Sequence, residues 1–213
     1  MYLLELHSLI EDGENSTVEF KRKFSSPEKI AKEMIAFANS KGGKILFGVD
    51  DDRTIVGVES EKGEMELIDT AARFFCEPEI NYDYEIISIK KSDVVVVHIP
   101  ESTNKPHKLI SDKLDDEVKV YIRYKDRCVL ASRETINILR GSNVKSHPVK
   151  INFGELEKSL LKYLEENEKI TVKGFKKLVN ISERRASRIL VTLVRTEVLR
   201  HHRVDNNEFF TMV

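Results

Sequence analysis

With 213 residues, 40% hydrophobic and 33% charged, the chain can bury one large core or two small ones and has the composition of an ordinary soluble protein. Cys76 and Cys128 are the only cysteines, with no CxxC or Cys/His spacing, which argues against zinc and for reduced thiols in a cytosol. The net charge of −1 hides a division: twelve Lys and Arg against nine acids from Ile151 to Val213, and a balance of −6 before Lys145.

At the N-terminus, Glu5, Glu11 and Asp12 come too early for a signal peptide and no long apolar span follows, so a cytoplasmic protein without a membrane partner is expected. Tyr2 to Ile10 has helical spacing, with Leu3, Leu6, Leu9 and Ile10 on one side. Thr17 to Lys23 alternates as a strand, pointing Val18 and Phe20 inward and setting Glu19, Lys21 and Lys23 on the other face. Ser26 and Pro27 start a helix that buries Ile30, Met34, Phe37 and Ala38. Gly42 and Gly43 stop it, and Ile45 to Val49 is a central strand covered on both faces and ended by Asp50, Asp51 and Asp52. Thr54 to Val58 is expected to return as a hairpin partner.

Further on, Met65 to Phe75 is helical, Tyr82 to Ile89 and Val94 to Ile99 are strands, and Ser102 to Asp116 is a polar loop. Val118 to Tyr124 is another strand, with Arg123 expected to pair with one of the rim acids. Ser132 starts a helix through Leu139. Strands and helices mix without strict alternation, which predicts an α+β domain with a mixed sheet over residues 1–141. Turn formers without periodicity mark residues 142–152 as a linker.

The last part, 153–213, has the pattern of a small winged helix-turn-helix domain. Helices are expected at Phe153 to Glu165, at Val172 to Val179, and from an N-cap at Ser182. Ala186, Ile189, Leu190 and Leu193 lie inward on the third helix, which puts Arg184, Arg188 and Arg195 on the opposite side with Arg185 flanking. Two strands about Asp205-Asn206-Asn207 make the wing. Between Lys169 and Arg203 ten basic residues face only Glu183 and Glu197, so this end is the expected polyanion-binding part.

The series Glu14, Glu19-Phe20-Lys21, Ala36-Phe37-Ala38-Asn39, Gly42-Gly43, Gly48-Val49-Asp50-Asp51 and Tyr121-Ile122-Arg123 before Ala131-Ser132 resembles the Schlafen AlbA_2 domain. That domain is also catalogued as divergent AAA-4. The resemblance implies a nucleic-acid-linked function, often that of a bacterial transcription regulator with a winged helix behind this domain. In the Schlafen branch three carboxylates serve a metal-dependent RNA nuclease. Their counterparts here are Glu14, Glu19 and Asp50, which would hold Mg²⁺ or Mn²⁺, with Lys21 and Lys23 on the phosphodiester. A Walker A loop is absent, since Ser40-Lys41-Gly42-Gly43-Lys44 is too short and Ile45 stands where Ser or Thr would meet Mg²⁺.

The expectation is therefore a DNA-binding transcriptional regulator that needs no cofactor, cytoplasmic and dimeric, with RNA as another possible partner. Arg184 and Arg188 would lie nearest base edges, Arg185, Lys176 and Lys177 on phosphates, and Arg200 and Arg203 on the backbone from the wing. The alternatives are an endoribonuclease using Glu14, Glu19 and Asp50, and an adaptor that binds only protein.

Overall fold

The computed structural model describes residues 3–110, 118–143, 153–205 and 207–213, and the chain divides into two compact units, Met1–Ser132 and Arg133–Val213. The first unit holds α1 (Leu3–Asp12), β1 (Val18–Lys21), α2 (Pro27–Asn39), β2 (Gly43–Phe47), α3 (Glu61–Phe74), β3 (Cys76–Glu77) and β4 (Asp83–Ile89). It continues with β5 (Ser92–Ile99), β6 (Lys108–Leu109), β7 (Tyr121–Tyr124) and β8 (Arg127–Leu130). The main sheet has the order β1-β2-β5-β4, with β1 parallel to β2 and the other pairs antiparallel. The fold is α+β with a mixed sheet.

A parallel pair needs a crossover, which α2 supplies between β1 and β2. Its start follows from the sequence: the Ser26 hydroxyl accepts from the Lys29 N–H and Pro27 takes the first helical position. Alternate residues of β2 then serve opposite faces. Ile45 and Phe47 pack with Ile30, Met34 and Phe37 of α2 and with Ile68 of α3. Leu46 packs with Leu6 and Ile10 of α1 and with Val18 and Phe20 of β1. Both faces are covered, as the unbroken apolar runs of β2 and β5 predict.

The hairpin partner expected at Thr54–Val58 does not form. β2 already has β1 on one edge and β5 on the other. The segment instead touches Val49 through a single bridge at Ile55, while the N–H groups of Val56 and Gly57 both donate to the Gly48 carbonyl. A strand not expected, β8, pairs antiparallel with β7 about Lys125, whose φ is +56°. Within the expected polar loop, β6 pairs with β3, and residues 111–117 of that loop lie outside the described ones.

The second unit holds α4 (Arg133–Gly141), α5 (Glu155–Glu166), α6 (Val172–Leu178), α7 (Glu183–Arg195), β9 (Leu199–Val204) and β10 (Asn207–Met212). Leu160, Leu164, Phe175, Ala186, Leu190 and Phe210 centre its core, and β9 and β10 form an antiparallel hairpin. Ser182 caps α7 by accepting from the Arg185 N–H. The helix starting at Arg133, expected to close the first domain, instead packs on α7. The reason is a second buried stripe on α7, Ser187 and Val191, beside the one that faces the core. The Ser187 hydroxyl donates to Glu134 at 2.7 Å. Residues 144–152 of the expected linker and Asn206 of the expected wing turn lie outside the described residues. No described helix is long and apolar enough to cross a membrane.

Candidate functional site

In the first unit, β1 sends Val18 and Phe20 to the α1 side and Glu19 to the α2 side, where it is buried rather than set on an open rim. Glu19 pairs with Lys21 and, at 2.8 Å, with Arg123 of β7. Arg123 also meets Glu33 of α2 at 2.9 Å, donates to the Asn15 carbonyl, and lies 4.6 Å over the Phe37 ring. The end of α2 holds the same strand by its backbone. Asn39 Nδ2 donates to the carbonyls of His107 and Tyr121, and Ser40 Oγ accepts from the Arg123 N–H.

The expected pairing of Arg123 with a rim acid is present. Glu33 is the acid that sequence reasoning misses. Its signal was a charge four residues before Phe37, on the same side of an otherwise apolar helix face.

Burial, followed by the nearby charge of Glu19, pushes the Glu33 carboxyl above its ordinary value of 4.5. Burial does the same to Glu14, opposed by the Phe20 N–H that its Oε1 accepts. A carboxyl raised in the folded state adds stability that is complete below its unfolded value and lost as pH rises through the folded one. Glu33→Gln removes that loss, so the melting temperature of the wild type minus that of the variant should fall from about pH 4 to about pH 8. A difference that stays flat over this window contradicts the burial-driven shift.

The three expected catalytic carboxylates do not gather into a metal site. Glu19 is occupied by Lys21 and Arg123, Glu14 by the Phe20 N–H, and Asp50 by Arg22 at 2.7 Å and by the Asp51 N–H. Among the described residues no three His, Cys, Asp or Glu are placed to hold a metal ion. These residues do not fit Mg²⁺ or Mn²⁺, and no catalytic step follows from them. Of the two expected phosphate lysines, Lys21 is tied to Glu19, and Lys23 is exposed just beyond the end of β1.

In the second unit, Arg184, Arg185 and Arg188 are exposed on α7, and among the described residues none is paired with a carboxylate. Lys177 and Arg200 are also exposed, whereas Lys176 lies 3.3 Å from Glu183. Arg203 is not where the wing reading needs it. It is turned against its own hairpin, 3.8 Å from Glu208 with a side chain 17% exposed, and its Nε donates to the Asp205 carbonyl. Strand alternation explains this, because Arg203 shares a face with Leu199, which is in the core, while Arg200 takes the other. On that other side His202 stacks on Phe209 and Lys169 lies 5.3 Å over the same ring.

An uncharacterized ATP-binding protein of Ureaplasma parvum, UU034, is 31% identical over 139 residues, which cover 54% of this chain and 38% of that protein. The chain thus spans well under half the length of that curated relative. The crystal structure of DIP2311 from Corynebacterium diphtheriae superposes on 98% of this chain and 38% of its own, with a TM-score of 0.52 at 14% identity, a likeness of fold. The N-terminal domain of a RecG-related protein from Nitrosomonas europaea covers 62% of this chain and 93% of that one, at a TM-score of 0.42 and 24% identity. The family model described as Schlafen, AlbA_2 matches residues 14–132, more than half of the chain and ending on the last residue of the first unit, and the protein belongs to that family.

Proposed function

We propose that the protein binds nucleic acid, and that its second unit is a winged helix-turn-helix that holds duplex DNA in the service of transcriptional regulation. The observation that carries this reading is the set of unpaired arginines, Arg184, Arg185 and Arg188, on the exposed part of a well-capped helix. Behind that helix the order α5, α6, α7 and hairpin is the one such a domain requires. Arg200 serves the backbone from the wing, and Arg203 drops out of the contact set. The first unit, acidic in composition, would supply dimer contacts or sensing.

Other readings have less support. Hydrolysis of RNA at Glu14, Glu19 and Asp50 would first require their protein partners to release them. Nucleotide binding, which the name of the Ureaplasma relative suggests for that protein, needs backbone N–H groups free to wrap phosphates. In the Ser40–Lys44 turn, the N–H groups of Ser40 and Gly42 both donate to the Phe37 carbonyl and that of Lys44 to Thr17.

The test is binding of the full chain to a labelled duplex over a range of salt. Arg184→Ala/Arg188→Ala should weaken binding and make it less dependent on salt, since two positive charges leave the interface. Binding and salt dependence equal to those of the wild type would dismiss the reading.

A further inference from the structure

α4 brings to α7 two arginines to which the expected interface gives no part. Arg133 and Arg140 line, together with Arg184, Arg188 and Arg195 of α7, a cleft of about 720 Å³. Two carboxylates border it, and both are engaged: Glu134 accepts from Ser187, and Glu183 lies 3.3 Å from Lys176. Among the described residues none of the five arginines is within salt-bridge distance of an acid. The Nε of Arg195 is buried and has no hydrogen-bond partner. That side chain passes where a Cβ on Gly141 would stand, so the glycine leaves the arginine its path into the cleft. Five like charges in one cleft repel one another unless an anion enters.

The spread of the charges selects the anion. Arg184 and Arg195 are eleven residues apart, about 16 Å along a helix. A DNA strand carries one phosphate per about 3.4 Å of axis, so the row spans about four or five phosphates. A single small anion would be satisfied by two of the five. The cleft also sits on the flank of α7 where Ser187 and Val191 are buried, so it offers arginine side chains to a backbone rather than a helix surface to base edges.

The geometry points to a phosphodiester site: the α4–α7 cleft holds the sugar–phosphate backbone of a nucleic acid, with Arg133, Arg140 and Arg195 on phosphates. It rests on the nucleic-acid reading above and extends the interface to a helix outside the winged-helix elements. Contacts of this kind position a ligand and carry no sequence information.

The full chain is titrated with two labelled duplexes of unrelated sequence at several salt concentrations. Arg133→Gln/Arg140→Gln should weaken both by the same factor, about tenfold at low salt, and flatten the salt slope by about two units. Arg140→Gln alone should flatten it by about one unit, and Arg133→Lys/Arg140→Lys, which keeps the charges, should retain the slope of the wild type. Both positions are exposed, so the fold is expected to survive, checked by the melting temperature. A wild-type slope in both glutamine variants overturns the proposal. The reading beneath it stands if Arg184→Ala/Arg188→Ala still loses binding, and both fall if neither pair matters. ATP is the competing arm. Displacement of the duplex by ATP from the wild type but not from the Arg133→Gln/Arg140→Gln variant would assign the cleft to a free nucleotide and overturn the proposal as well.

Discussion

Arg123→Ala should destabilise the first unit by about 3–5 kcal/mol, the usual cost of stripping one partner from a buried ion pair. The side chain is 1% exposed, and its Nη1 meets Glu19 at 2.8 Å and Glu33 at 2.9 Å. Removing it leaves two mostly buried carboxylates side by side, Glu33 without a cation and Glu19 with Lys21 alone, and takes the guanidinium off the Phe37 ring. Against a total stability of about 5–15 kcal/mol for a typical domain this is a large share. The loss should appear as a lower urea midpoint with little change in slope.

Two further measurements separate lost charge from lost packing. Adding Glu19→Gln and Glu33→Gln to Arg123→Met should recover much of the stability, because a neutral trio no longer carries buried charge. The deficit of Arg123→Ala should also shrink from neutral pH towards about pH 4, as the abandoned carboxylates take up protons. A deficit under about 1 kcal/mol at neutral pH would mean that the arginine is held for function and not for the fold.

Gly42→Ala is expected to cost about 3 kcal/mol or more, joining a left-handed backbone penalty of about 1–2 kcal/mol to a clash that no rotamer relieves. Gly42 has φ +74°, and a Cβ there would stand 2.7 Å from the Ile99 carbonyl oxygen and 2.8 Å from the Glu101 nitrogen. One is a backbone atom of the last residue of β5 and the other lies two residues beyond it, so relief would have to move the end of that strand. Gly63→Ala is the control. In the first turn of α3, its Cβ would meet nothing nearer than 3.4 Å, and the change should be neutral or stabilise by about 0.5–1 kcal/mol. Equal effects of the two substitutions on the urea midpoint would show that the turn after α2 is not the constraint it is taken for.

The features legible in the sequence are those that a few neighbouring residues decide. Ser26-Pro27 and Ser182 start helices where they stand in the structure, Gly42 turns the chain between α2 and β2, and the apolar runs of β2 and β5 announce a sheet with two covered faces. Partners distant in the chain are what periodicity leaves out. Glu33 finds Arg123 ninety positions later, and Thr54–Val58 looked like a strand while its intended edge was taken by β5. The candidate site divides in the same way. That α7 carries exposed arginines follows from helical spacing alone. That Arg203 turns to Glu208 depends on the register of a hairpin, and that Ser187 meets Glu134, 53 residues upstream in α4, depends on packing.

The company α4 keeps has a practical side for anyone cutting the protein into pieces. A fragment begun at Phe153 would leave Val191 of α7 bare and the Ser187 hydroxyl without Glu134, so its arginine face would be presented on an altered, adhesive surface. Such a fragment could bind polymers, glass or plastic for reasons unrelated to its duty in the intact molecule. Beginning at Arg133, one residue past the last position matched by the family model, keeps the helix with the partner it covers.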